Sequence, residues 1–125
     1  MMTTLVQVAL GGALGASARY LTNTAVMRWI GPGFPYGTLL VNVVGSFLMG
    51  VLVVVLAQKG GTKLAPFLMT GLLGGFTTFS AFSLDAFTLL ERGQTALAGA
   101  YVAGSVVLSI MALVVGILTM RGILA

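Results

Sequence analysis

Four runs of this chain carry no charged side chain at all: Thr3–Ala18, Thr38–Ala57, Leu64–Leu84 and Ala96–Met120. A helix needs about 20 apolar residues to cross the hydrocarbon of a bilayer, where no water is present to bond an open amide. The runs therefore predict four membrane-spanning helices. With their flanks these cover approximately 3–28, 36–57, 64–90 and 95–120, and the whole of 1–125 reads as a single four-helix transmembrane domain. Turn signals separate them: Gly31-Pro32-Gly33-Phe34-Pro35 after the first, Gln58-Lys59-Gly60-Gly61 after the second, Glu91-Arg92-Gly93 after the third. Arg121-Gly122 closes the fourth, and Pro66 falls in a first turn, where proline is tolerated. The N-terminus has no charged region ahead of its apolar run and reads as mature sequence rather than a signal peptide.

Composition narrows the function classes. Charged residues make up 6% of the chain, against about 25% in an ordinary soluble domain. Mean hydropathy is +1.12, the value of an integral membrane protein. Six Lys/Arg against two acids are too few for a nucleic-acid footprint, so no nucleic-acid partner is expected. The absence of Cys and His excludes disulfides, thiol nucleophiles and the usual transition-metal sites. No base–nucleophile pair is available, and an enzyme is not expected.

The third run differs from a plain anchor. Gly71-Leu72-Leu73-Gly74-Gly75-Phe76-Thr77-Thr78-Phe79-Ser80-Ala81-Phe82-Ser83 places three glycines, paired threonines, and Phe79 and Phe82 one turn apart at bilayer depth. Backbone this glycine-rich is tolerated there only where protein buries it or a cavity exposes it. The segment reads as a site.

An even number of spans puts both termini on one side with Lys59, Lys63 and Arg121; Arg28 and Arg92 lie opposite, with Arg19 if it reaches that interface. Lys/Arg asymmetry normally fixes orientation, and here it nearly vanishes. Either other features orient the chain, or it inserts both ways and pairs antiparallel. Four short helices hardly enclose a pathway alone, which favours a dimer. Gly11/Gly15, Ser46/Gly50, Gly71/Gly75 and Ala96/Ala100/Gly104 are spaced for close helix contact, within or between subunits.

Polar stripes run along these rods without charge. Thr38, Asn42 and Ser46 share one face of the second helix, and Tyr101, Ser105 and Ser109 one face of the fourth. The third helix adds Thr77, Thr78, Ser80 and Ser83 around Phe79 and Phe82. Hydroxyls can bond to backbone and serve only as packing, but the Asn42 amide must satisfy two donor hydrogens and an acceptor. Two uncharged stripes on two helices point to a permeation path. A proton-coupled exporter of this size would need a buried carboxylate, and none lies inside the four runs; Asp85 and Glu91 read as interfacial. A non-transporting scaffold subunit is a second rival, with the glycines as interface only. Arg19, the one deep cation, has three options: backbone carbonyls, snorkelling, or drawing an anion into a vestibule. Phe79 and Phe82 offer negative faces to cations or positive edges to an anion.

Three blocks together resemble those of the Fluc/CrcB fluoride channels. They are Gly11–Tyr20 (Gly-Gly-Ala-Leu-Gly-Ala-Ser-Ala-Arg-Tyr), Gly37–Phe47 (Gly-Thr-Leu-Leu-Val-Asn-Val-Val-Gly-Ser-Phe) and Gly74–Ser80 (Gly-Gly-Phe-Thr-Thr-Phe-Ser). The resemblance spans the chain. It implies an all-α, dual-topology antiparallel homodimer in the bacterial inner (plasma) membrane, with the third helix broken mid-membrane. It further implies passive, selective fluoride export through two pores per dimer, giving fluoride resistance. By position, the pore residues would be Phe79, Phe82, Asn42, Tyr101, Ser105 and Ser109, with Thr38 and Ser83 beside them and Arg19 near the vestibule. A structural Na+ at the dimer centre would take the backbone carbonyls of Gly74 and Thr77. Where the family often has Ser-Thr-Phe, this chain has Ser80-Ala81-Phe82, and one hydroxyl is missing.

Overall fold

The computed structural model describes all 125 residues of one protomer, and every regular element is helical. Helix α1 spans Met2–Trp29 and α2 spans Tyr36–Lys59. A short 3-10 turn, Thr62–Leu64, leads into a π-helical segment, Pro66–Leu73. The brief helix α3 (Gly74–Phe76) follows, then α4 (Phe79–Glu91) and α5 (Thr95–Leu124). Gly60 and Gly61 both take positive φ, at 82° and 83°, and so reverse the chain between α2 and the third segment at little steric cost. The fourth helix does not stop at Arg121-Gly122. Continuing helically through one glycine costs only about 1 kcal/mol, and α5 runs on to Leu124.

Tyr36–Lys59, Thr62–Glu91 and Thr95–Leu124 are each long and apolar enough to cross a membrane. This is a multi-pass membrane protein. With 28 residues, about 42 Å at 1.5 Å per residue, α1 also has the length to cross, but Gln7, Arg19, Arg28 and its Gly, Ser, Thr and Asn residues dilute its apolar character. Four helices thus fit the four runs. Leu10, Leu14, Val53, Val107, Leu118 and many other large apolar side chains point outward, as a lipid-facing surface requires.

Small residues decide how the helices pair. A Cβ on Gly15 would collide with the carbonyl of Leu72, and one on Gly11 with the carbonyl of Phe67, so α1 lies directly against the backbone of the π-helical segment. From the other side, a Cβ on Gly75 would come within 2.8 Å of the Gly12 carbonyl. Gly50 and Gly116 do the same for α2 and α5, meeting the carbonyls of Leu113 and Phe47. Three of the four small-residue pairs therefore close contacts within the protomer, where dispersion and lipid release replace a water-driven core. Gly99 and Gly104 have nothing within 4 Å of such a Cβ, and Ala96 and Ala100 are exposed. A compact cluster of Phe82, Leu89, Ala98 and Tyr101, flanked by Phe34, Leu39 and Ala86, ties α4 to α5.

Candidate functional site

Thr77 and Thr78, between α3 and α4, are extended (φ −88°, ψ 159° and φ −152°, ψ 124°). The Thr77 amide still donates to the Leu73 carbonyl at 3.0 Å, but Thr78 leaves the helical ladder, and an open amide or carbonyl in lipid costs several kcal/mol. Side chains from three elements answer this. The Asn42 Nδ2 donates to the Thr78 carbonyl at 3.0 Å, and the Thr78 amide donates to Asn42 Oδ1 at 2.8 Å. The Thr78 hydroxyl accepts from the Ala81 amide at 3.1 Å, an N-cap that starts α4. The Thr77 hydroxyl donates back to the Leu73 carbonyl at 3.0 Å. From α1, Arg19 Nε donates to the Gly75 carbonyl at 3.1 Å, so of its three options this guanidinium takes a backbone carbonyl. Gly45, one turn along α2 from Asn42, leaves room that the Thr77 methyl fills.

Beside the extended Thr77-Thr78 pair lies a cleft of about 490 Å³ between α2, α4 and α5. Its polar lining is Asn42, Ser46, Thr77, Thr78, Ser105 and Ser109; Phe79, Phe82 and aliphatic side chains complete it, and no charged residue takes part. The Ser105 hydroxyl is buried there without a hydrogen-bond partner. Phe79 is 77% exposed on the protomer, whereas Phe82 is buried. Their ring centres are 5.4 Å apart and tilted by 48°.

The remaining candidate residues lie apart from this cleft. Phe82 passes the aromatic contact to Tyr101 at 5.3 Å, and Tyr101 meets the loop residue Phe34 edge-on at 5.4 Å. The buried Tyr101 hydroxyl donates to Asp85 Oδ2 at 3.2 Å. Thr38 and Asp85 open onto a second cavity of about 340 Å³, next to Asn23 and Arg92 at the end of the bundle. Ser83 is exposed on α4 and donates to the Phe79 carbonyl at 3.0 Å. Gly74 is exposed and Thr77 half-buried. Reading the sequence missed Asp85, Gly45 and Phe34 as parts of this arrangement. Asp85 had a signal, since Phe79, Phe82 and Asp85 recur every third residue along one side of α4; Gly45 and Phe34 had none.

A family model described as CrcB-like protein, Camphor Resistance (CrcB), matches residues 6–117. A fluoride-specific ion channel FluC of Cereibacter sphaeroides is 70% identical over 125 residues, covering 100% of both chains. The protein of the same name from Paracoccus denitrificans is 58% identical over 125 residues, again the full length of both. That of Mesorhizobium japonicum is 47% identical over 123 residues, with 98% of this chain and 99% of its own covered.

Proposed function

The chain belongs to the CrcB-like family, and we propose that it is a fluoride-selective channel that exports F⁻ passively across the bacterial inner membrane. As a member of a channel family it is not an enzyme. The observation that carries the reading is the cleft beside the break: donors and aromatic rings line it, and no charge does. Full-length identity to relatives named fluoride-specific ion channels supports the same ion.

Fluoride is small and strongly hydrated, so a path must replace its water with donors without binding it too tightly to release. Asn42 uses one Nδ2 hydrogen on Thr78 and has one left for an anion. Ser105, with its hydroxyl unpartnered, and Ser109 add donors, and the rings of Phe79 and Phe82 add polarised C–H edges. Tyr101, Thr38 and Ser83 extend the polar track beyond the cleft, and Arg19, held by its Nε on the Gly75 carbonyl, places its charge near the vestibule. Export needs no fuel. The weak acid HF crosses the membrane, ionises in a more alkaline cytosol, and a negative interior drives F⁻ out by about 2.3 kcal/mol per 100 mV.

The functional unit we propose is an antiparallel homodimer of dual topology, with four crossings per subunit, the third broken at mid-membrane, and two pores. The near balance of Lys59, Lys63 and Arg121 against Arg28 and Arg92 supports insertion in both directions. Gly74 and Thr77 fit a structural Na+ at the centre. The amide that a helix would offer the Gly74 carbonyl is that of Thr78, which goes to Asn42; the one for the Thr77 carbonyl is that of Ala81, which goes to the Thr78 hydroxyl. Two neutral, hard oxygen donors are thereby left for a hard cation, and bound Na+ would neutralise converging carbonyl dipoles there. The test is efflux of F⁻ and of Cl⁻ from liposomes holding the purified protein. Rapid release of F⁻ with Cl⁻ retained is expected, and release of neither from folded protein would overturn the proposal.

A further inference from the structure

The pairing between Asn42 and Thr78 joins residues 36 apart in sequence and uses both main-chain groups of Thr78. In register it resembles one rung of an antiparallel sheet, built from a side-chain amide. A primary amide offers a donor and an acceptor side by side without a change of protonation, and Gln would overshoot by a methylene. Thr78 is also the N-cap of α4, so whatever fixes Thr78 fixes the origin of the helix on which Phe79 and Phe82 stand. Gly45 gives the same helix face a recess for the Thr77 methyl, so that α2 grips both residues of the break.

We propose that Asn42 is a positioning residue, whose amide holds the Thr78 backbone extended and thereby places the Phe79 and Phe82 rings against the cleft. This rests on the channel reading and adds a second duty to a residue that offers the ion one hydrogen. It also accounts for the direction of the amide. Oδ1 is engaged by the Thr78 amide and one Nδ2 hydrogen by the Thr78 carbonyl, so the second Nδ2 hydrogen is the donor left for an anion. The same bond diverts the Thr78 amide from the Gly74 carbonyl, so the break persists instead of annealing into one continuous helix.

The experiment measures hydrogen exchange at the Thr78 amide, and the 19F signal of 4-fluorophenylalanine placed singly at Phe79 or Phe82, in fluoride-free buffer. Without fluoride present, an effect through the ion cannot contribute. In Asn42→Ala we expect Thr78 to exchange about tenfold faster or more, the loss of a buried hydrogen bond, and both ring signals to shift or broaden. Ser105→Ala, in the same cleft but off the Thr78 backbone, is expected to leave exchange at the Thr78 amide unchanged. If Asn42→Ala does not fold, Asn42→Ser is read in the same way. Unaltered exchange and ring signals in a folded Asn42 variant that has lost fluoride flux would overturn the proposal and leave Asn42 as an ion contact only. Absence of flux from the wild type would instead overturn the channel reading, and the exchange and ring signals would still decide the tether.

Discussion

The methyl group of Thr77 occupies the space that a side chain at position 45 would need, so Gly45 on α2 and Thr77 in the break are fitted to each other. Gly45→Ala should therefore push Thr77 away and cost about 1–3 kcal/mol, the usual penalty of overpacking. Thr77→Ser removes the methyl and keeps the hydroxyl that bonds Leu73. The double variant Gly45→Ala/Thr77→Ser should recover most of the stability and fluoride flux lost in Gly45→Ala. Thermal melting in detergent and liposome efflux check this as a double-mutant cycle. Simple additivity of the two changes would mean the contact does not matter.

Glycines of equal rank in the sequence separate sharply in the fold. Gly15→Ala places a methyl into the Leu72 carbonyl and must pry α1 from the third segment. Gly99→Ala meets nothing within 4 Å and gains helix propensity, worth up to about 1 kcal/mol. Melting curves should show Gly15→Ala lowered by several degrees and Gly99→Ala unchanged or raised. A fall of the same size in Gly99→Ala would place that glycine in a contact between subunits.

The helices were legible because their signal is one-dimensional: a run free of charge, ended by Gly, Pro and Lys or Arg, needs no partner to be recognised. The unusual character of the third segment was legible as composition, in Gly74-Gly75 and Thr77-Thr78, and the polar cleft lining Asn42, Ser46, Ser105 and Ser109 by its spacing on two faces. What satisfies the break was not legible. The Asn42 stripe pointed to an amide needing partners, but its partner lies 36 residues away on a backbone whose extended shape no propensity announces. The spacing of Asp85 behind Phe79 and Phe82 marks its side of α4, but its tie to Tyr101 depends on how α4 and α5 are rotated, which spacing does not give. The small-residue pairs are ambiguous in sequence because only the folded protomer brings Gly11, Gly15, Gly50, Gly71 and Gly75 against its own backbone.

If Na+ is held by the freed carbonyls of Gly74 and Thr77, its removal should loosen the assembly. Exchanging sodium for a large organic cation is expected to lower the melting temperature and to favour monomers. A ligand at a hundredfold excess over its Kd contributes about 2.7 kcal/mol to the state that binds it. Identical melting and identical oligomer size in both buffers would remove the ion from the proposal.

Phe79 and Phe82 share one proposed role but differ in burial, and this lets the role be separated from the packing. Phe82 is buried against Tyr101, at 5.3 Å between ring centres, while Phe79 is 77% exposed on the protomer. Isoleucine at either position is a smaller apolar side chain without the aromatic quadrupole, so it lacks the polarised edge that an anion would meet. Phe82→Ile also gives up an aromatic pair worth about 0.5–1.5 kcal/mol and should melt lower. Phe79→Ile should melt as the wild type in a monomer, and lower only if a second subunit covers that ring. Both should slow fluoride efflux about tenfold or more, which corresponds to ~1.4 kcal/mol on the barrier. Loss of flux in Phe79→Ile with unchanged melting would tie the ring to conduction alone. Unchanged flux in both variants would take the rings out of the path and leave them as packing between α2, α4 and α5.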